Sequence, residues 1–248
     1  MHTTRPDLAV PILTYHNIGS APRAATHRGL YLSVEKFRFH LDMLRRHGYR
    51  GVSMDEGLPY LRGRQQGRVA IITFDDGYVD TFENALPALQ EHHFTATCYL
   101  VASHLGGFNA WDAEEVRTRK PLMDVMLIRR WLTAGMKVGS HTLSHPHLSE
   151  LDPAAKQREI VESKAVLEDR LGIAIEHFCF PYGNYDQACL RMVEQAGYLT
   201  AVTTEQGRVG SGRSLFALPR VPNSGKRSRR FFQTRALLWK LAPRLAAL

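Results

Sequence analysis

Cysteine is scarce in this 248-residue sequence: Cys98, Cys179 and Cys189 are the only three, and no two share the Cys-x-x-Cys spacing of a metal knuckle or redox pair. An odd count in a chain this long argues against a disulfide framework, so reduced thiols are expected. Long apolar runs are missing too. The uncharged stretch 94–111 is interrupted by Ser103, His104, Gly106, Gly107 and Asn109, which excludes a membrane-spanning helix there. The apolar run 8–13 contains Pro11, is too short for the core of a secretory signal and lacks a small-residue cleavage site after it. Internal repeats and low-complexity linkers are absent. Acidic residues are missing from one region in particular: positions 226–248 carry seven basic side chains and no acid, and taking these seven from the net charge of +8 leaves +1. A nearly neutral body with a basic tail argues against a nucleic-acid-binding module, and no nucleic-acid partner is expected.

What is present is ordinary globular composition, 44% hydrophobic and 23% charged, in a chain long enough for one α/β domain with a sizeable core. Short β-branched runs alternate with amphipathic stretches, the pattern of a mainly parallel sheet or barrel. Strands are predicted at 10–15, 69–74, 96–101, 137–139, 177–180, 199–203 and 215–221. Helices are predicted from a Ser33 cap to 47 and at 81–92, 121–134, 153–171 and 186–196. The expected organisation is an extension at 1–9, a folded body at 10–222 and a basic amphipathic tail at 223–248.

Two clusters lie just past predicted strands, where parallel α/β folds place their chemistry. The first is Thr73-Phe74-Asp75-Asp76-Gly77. Adjacent carboxylates there repel one another unless a cation or proton separates their roles. The second is Ser140-His141-Thr142-Leu143-Ser144-His145, whose two histidines, four residues apart, can turn toward one point. Alone, the acids read first as a helix cap beside a turn glycine, and the histidines as a coincidence among twelve. Together they supply two imidazole nitrogens, a carboxylate ligand and a spare carboxylate, the donor set of an open hydrolytic zinc site.

These segments, with Phe180-Pro181-Tyr182-Gly183, resemble in order and spacing the first three motifs of the polysaccharide deacetylases, the NodB-homology domains of carbohydrate esterase family 4. The resemblance spans about residues 10–222. Leu13-Thr14-Tyr15-His16 is similar to the subgroup acting on poly-N-acetylglucosamine. The resemblance implies a distorted parallel (β/α) barrel and removal of N-acetyl groups from amino sugars of a polysaccharide, oligosaccharide or lipid-linked glycan. It implies further that Asp76, His141 and His145 hold one divalent metal, with zinc expected and nickel, cobalt, iron or manganese as alternatives. Asp75 would then be the base that activates metal-bound water, and the Tyr182 backbone N–H would be a second donor to the developing oxyanion.

The chain departs from that pattern at two places. Where many relatives carry an arginine before the third-motif proline, this chain has Cys179, read as a small buried strand residue. Where they carry a late histidine acid, this chain reads Leu218-Pro219-Arg220-Val221. His16 is therefore the candidate general acid, and Arg220 the candidate to orient Asp75. Trp111 and Tyr182 are candidate sugar-stacking walls. His147, two residues along an extended chain from His145, is expected to point away from the metal. The tail places Phe231, Leu238, Leu241, Ala242 and Leu245 on one helical side, which suits an anionic membrane surface or docking on the body. The expected location is cytoplasmic, with the tail at the inner membrane face. Competing readings are hydrolysis of a non-carbohydrate amide and a catalytically idle glycan-binding relative.

Overall fold

Six consecutive buried residues, Val69–Phe74, form strand β5, as expected of a strand covered on both faces. In the computed structural model, which describes residues 10–210 and 213–223, β5 sits at the junction that closes a barrel. The other barrel strands are β1 (Ile12–Tyr15), β6 (Thr97–Leu100), β7 (Lys137–Ser140), β8 (His177–Cys179), β9 (Thr200–Gln206) and β10 (Leu218–Pro222). They run β1-β10-β9-β8-β7-β6-β5, and β5 returns to β1 in the register Ile12 to Ile71 through Tyr15 to Phe74. All these pairings are parallel, so seven strands make a closed parallel barrel. A short strand β4 (Arg50–Val52) pairs with the first half of β5, and β2 (Asn17–Ile18) pairs with β3 (Tyr31–Leu32) apart from the barrel.

Strand periodicity divides the core in two. Ile12, Ile71, Tyr99, Cys179, Val202 and Leu218 pack together inside the barrel. Their neighbours Leu13, Ile72, Cys98, Phe178 and Val221 belong to the larger core beneath the helices. Gly139 makes room inside: a Cβ there would lie 2.6 Å from the Tyr99 ring. The helices are α1 (Val34–Arg46), α2 (Met54–Leu61), α3 (Leu86–Glu91), α4 (Val125–Thr133), α5 (Pro153–Leu171) and α6 (Gln187–Gln195). Ser33, Ser53, Asp124, Asp152 and Asp186 cap five of them by accepting a backbone N–H three residues on.

The structure corrects three expectations. The strand predicted at 10–15 is split: Pro11 has no N–H to donate, and Val10 instead forms an antiparallel bridge with Val209. The helix predicted at 121–134 begins at Val125, because Asp124 caps it, while Pro121 and Leu122 bridge Phe108 and Tyr78. Strand β4 and helix α2 fall in a region left without elements, although Ser53-Met54-Asp55-Glu56 has the capping-box spacing. The predicted extension at 1–9, and the predicted tail apart from Asn223, lie outside the described residues. Among the described residues, no helix is long and apolar enough to cross a membrane.

Candidate active site

The predicted chemistry gathers at the carboxyl end of the barrel. Asp75 and Asp76 follow β5, His141 follows β7, the 181–183 turn follows β8, His16 follows β1, and Arg220 lies within β10. The backbone turns sharply here. Of six non-glycine residues with positive φ among those described, four are at this site: Asp76 (73°), Thr142 (67°), His145 (69°) and Tyr182 (57°). Such conformations cost roughly 1–3 kcal/mol each and persist only where surrounding contacts over-determine them. Gly77 completes the first turn at φ 79°, with Leu100 close enough that a Cβ would meet its methyl at 2.9 Å.

Buried Glu159, on α5, fixes the second turn. Its carboxylate accepts from the backbone N–H groups of Leu143 and Ser144, both at 2.9 Å, and from Ser144 Oγ at 2.6 Å. Thr142 Oγ1 accepts from the His145 N–H at 2.9 Å. Both histidine rings consequently face Asp76: His141 Nε2 and His145 Nε2 each lie 3.4 Å from Asp76 Oδ1. Ligand atoms of a tetrahedral centre with bonds of about 2.0–2.1 Å stand about 3.4 Å apart, so the three buried donors fit a divalent ion. His141 Nδ1 donates to the Cys179 carbonyl at 2.8 Å, which leaves Nε2 as its inward-facing nitrogen. Trp111 stacks on the His145 ring at 4.6 Å between centroids, and Tyr182 meets it edge-on at 4.7 Å.

Electrostatics at Asp76 and His145 agree with that fit. At His141, by contrast, burial is outweighed by Cys179 and Asp76, which raise its pKa well above the usual imidazole range. Burial alone would raise the Asp76 carboxyl, but hydrogen bonds from His141 and His145 hold it well below the usual carboxylate range. Burial is the largest influence on His145 and lowers its pKa, favouring the neutral imidazole that a metal needs. An overlapping group, Asp75, His141 and Cys179, also brings three donor atoms within 4.8 Å. Arg220 occupies it electrostatically. Its Nη1 donates to Asp75 Oδ1 at 2.7 Å and its Nη2 to Oδ2 at 2.8 Å, with Cys179 Sγ 3.3 Å from Nη2. Nε donates to the Thr203 carbonyl at 2.8 Å and Nη1 also to Thr73 Oγ1 at 3.2 Å, so every guanidinium nitrogen is engaged. Burial would raise Asp75, yet Arg220 and then His16 outweigh it and keep this carboxyl ionised. His16 Nε2 lies 3.7 Å from Asp75 Oδ2, on a side chain 27% exposed at the rim. Burial pushes the Cys179 thiol up, as befits a small neutral residue beside the arginine.

Residues 62–201, more than half of the chain, match the family model for polysaccharide deacetylase. The chain belongs to this family. It is 27% identical to YxkH of Bacillus subtilis (strain 168) over 214 residues, covering 86% of this chain and 70% of YxkH. It is 23% identical to the poly-beta-1,6-N-acetyl-D-glucosamine N-deacetylase of Staphylococcus aureus (strain MRSA252), covering 77% of this chain and 67% of that protein. The structure of IcaB from Ammonifex degensii superposes with a TM-score of 0.78 at 21% identity over 94% of this chain and 97% of that one, a likeness in fold.

Three residues of this polysaccharide deacetylase family member have places that the sequence reading did not give them. Glu159 braces the His141–His145 turn; an acid beside buried Ile160 on a helix was its only signal. Asp112 lies in the Trp111 loop, where Asn109 Nδ2 donates to it at 2.7 Å. Burial first, and then the charge of Asp76, push its carboxyl up to about 6. His147 stays outside the Asp76 group, as expected, but stacks flat on Tyr182 at 4.0 Å and 8°, widening an aromatic surface whose Tyr182 is 44% exposed.

Proposed function

We propose that this protein is a divalent-metal-dependent hydrolase that removes N-acetyl groups from glycan amino sugars, with polymeric N-acetylglucosamine as the substrate class. The observation that carries the reading is the convergence of two imidazole nitrogens on Asp76 beside a second carboxylate, Asp75, clamped by Arg220. Asp76, His141 and His145 would hold the metal, and zinc suits two imidazoles and one carboxylate. When bound, it supplies a Lewis acid for the amide carbonyl and lowers the pKa of water toward ~7. Asp75 takes the proton from the attacking water, with the Arg220 fork fixing its orientation. The Tyr182 backbone N–H donates to the developing oxyanion, and Trp111 and Tyr182 flank the sugar. The S. aureus relative supports the choice of sugar through its name, which specifies the β-1,6-linked polymer. Acetate release from a panel of N-acetylated oligosaccharides tests the reading. It fails if no member of the panel is hydrolysed by zinc-, nickel- or cobalt-loaded protein.

His16 acts as the acid that protonates the departing amine, since its imidazole stands at the rim beside the base. His16→Ala is expected to bind metal normally and to lower kcat by ~10²–10⁴ with little change in KM. An unchanged kcat across the pH range would exclude it.

Glu159→Ala removes the acceptor for three hydrogen bonds that set the second metal-ligand turn. Metal affinity is expected to fall about 10–100-fold, the usual consequence of losing an outer-shell partner. Zinc titration against a fluorescent chelator measures it, and wild-type affinity would remove Glu159 from that role.

The basic tail carries a separate proposal, attachment of a cytoplasmic enzyme to anionic membrane. Deleting residues 226–248 is expected to abolish sedimentation with anionic vesicles while leaving hydrolysis of a soluble oligosaccharide intact. Equal sedimentation of intact and truncated protein would refute it.

A further inference from the structure

The opposite, amino end of the barrel holds a second group of metal-type donors. His177 opens β8 on the inward-facing side of the strand and is only 1% exposed. Its Nδ1 lies 2.9 Å from Thr200 Oγ1, inside the same barrel layer. Its buried Nε2 makes no hydrogen bond. That nitrogen points toward Asp55, in the first turn of α2, with Nε2 to Oδ2 at 3.4 Å. Glu176 completes the group, and one donor atom from each of the three lies within 4.8 Å of the others. The three residues line one pocket of about 450 Å³ together with Lys137, Met136 and Ile173. Lys137 Nζ is 3.6 Å from Asp55 Oδ1, on the other oxygen of the carboxylate, so it leaves Oδ2 toward the histidine.

We infer that Asp55, Glu176 and His177 form a second divalent-metal site at the amino end of the barrel, distinct from Asp76, His141 and His145. The chemistry is that of a borderline ion such as zinc: one imidazole whose outer nitrogen is held by a buried hydroxyl, and two carboxylates. Two carboxylates facing one lysine leave a net negative site that a cation neutralises. The 3.4 Å spacing of His177 Nε2 and Asp55 Oδ2 is again that of two ligands on one tetrahedral ion. The site has a mechanical consequence. Among the described strands β4 pairs with β5 alone and stands outside the closed barrel, and α2 follows it. An ion joining Asp55 to His177 links α2 to β8 across the barrel mouth. This role is structural and does not depend on the proposed hydrolysis.

Metal counting on the full chain separates the sites. After zinc loading and removal of excess, elemental analysis is expected to find two equivalents in the wild type. One equivalent is expected in Asp76→Ala and one in Asp55→Asn with Glu176→Gln, with acetate release by the latter within twofold of wild type. His177→Gln is expected to match the latter pair. Because His177 is buried and its variant can fail to fold, the exposed Glu176 and partly exposed Asp55 carry the test. Zinc is also expected to raise the Tm of Asp76→Ala, and this rise should vanish when the Asp55 and Glu176 changes are added. One equivalent in the wild type, no zinc in Asp76→Ala, or two equivalents in the Asp55→Asn, Glu176→Gln protein would overturn the assignment.

Discussion

Asp75→Asn is expected to retain zinc at its carboxyl-end site and to lose ~10²–10⁴ in acetate-release rate, because it removes the proton acceptor and none of the three proposed ligands. The variant also has a predictable cost. Asp75 and Arg220 form a buried bidentate pair, and removing one member of such a pair typically destabilises by about 3–5 kcal/mol by leaving the other charge uncompensated. A lowered Tm is therefore expected alongside the lost turnover. The two effects can be parted by adding Arg220→Met. That change removes the stranded charge and should recover much of the Tm without recovering any turnover. Normal acetate release by Asp75→Asn at saturating metal would mean that another group acts as base.

Replacing a ligand should act earlier in the sequence of events. His141→Ala, His145→Ala and Asp76→Ala are each expected to lose zinc at the carboxyl end and with it all measurable hydrolysis, whereas Asp75→Asn keeps the metal. His145→Ala also removes the ring on which Trp111 stacks and against which Tyr182 packs, so the aromatic surface should loosen with the metal centre. Elemental analysis and acetate release on the same samples distinguish ligand from base. A His141→Ala protein with full zinc at that end would break the proposed ligand set.

The sequence made the acids and histidines legible because their chemistry depends on residue type and on position after a strand, both of which a linear pattern records. Asp75, Asp76, His141 and His145 follow runs that read as buried strands, and the fold brings them to one end of the barrel. Arg220 was legible for a different reason. With Cys179 where the family resemblance implies an arginine, Arg220 stands as the candidate to orient Asp75, and β10 brings it to that carboxylate through the barrel interior. Glu159 was not legible, because its partners are backbone N–H groups of a turn whose shape no periodicity announces. Strand β4 and helix α2 were missed because three residues are too few to show alternation and because Gly57 and Pro59 weaken the helical signal. The group at the barrel's amino end joins Asp55 to Glu176 and His177, which only closure of the barrel brings together.

A metal held by Asp76, His141 and His145 is proposed to serve hydrolysis of an N-acetylated sugar. The most direct test of that role is acetate release from oligomeric N-acetylglucosamine by protein stripped with a chelator and then titrated with zinc. The expected result is no release from the stripped wild type, recovery in step with zinc binding, and no recovery at any zinc concentration in Asp76→Ala. Full activity in the stripped protein, or zinc-restored activity in Asp76→Ala, would contradict it.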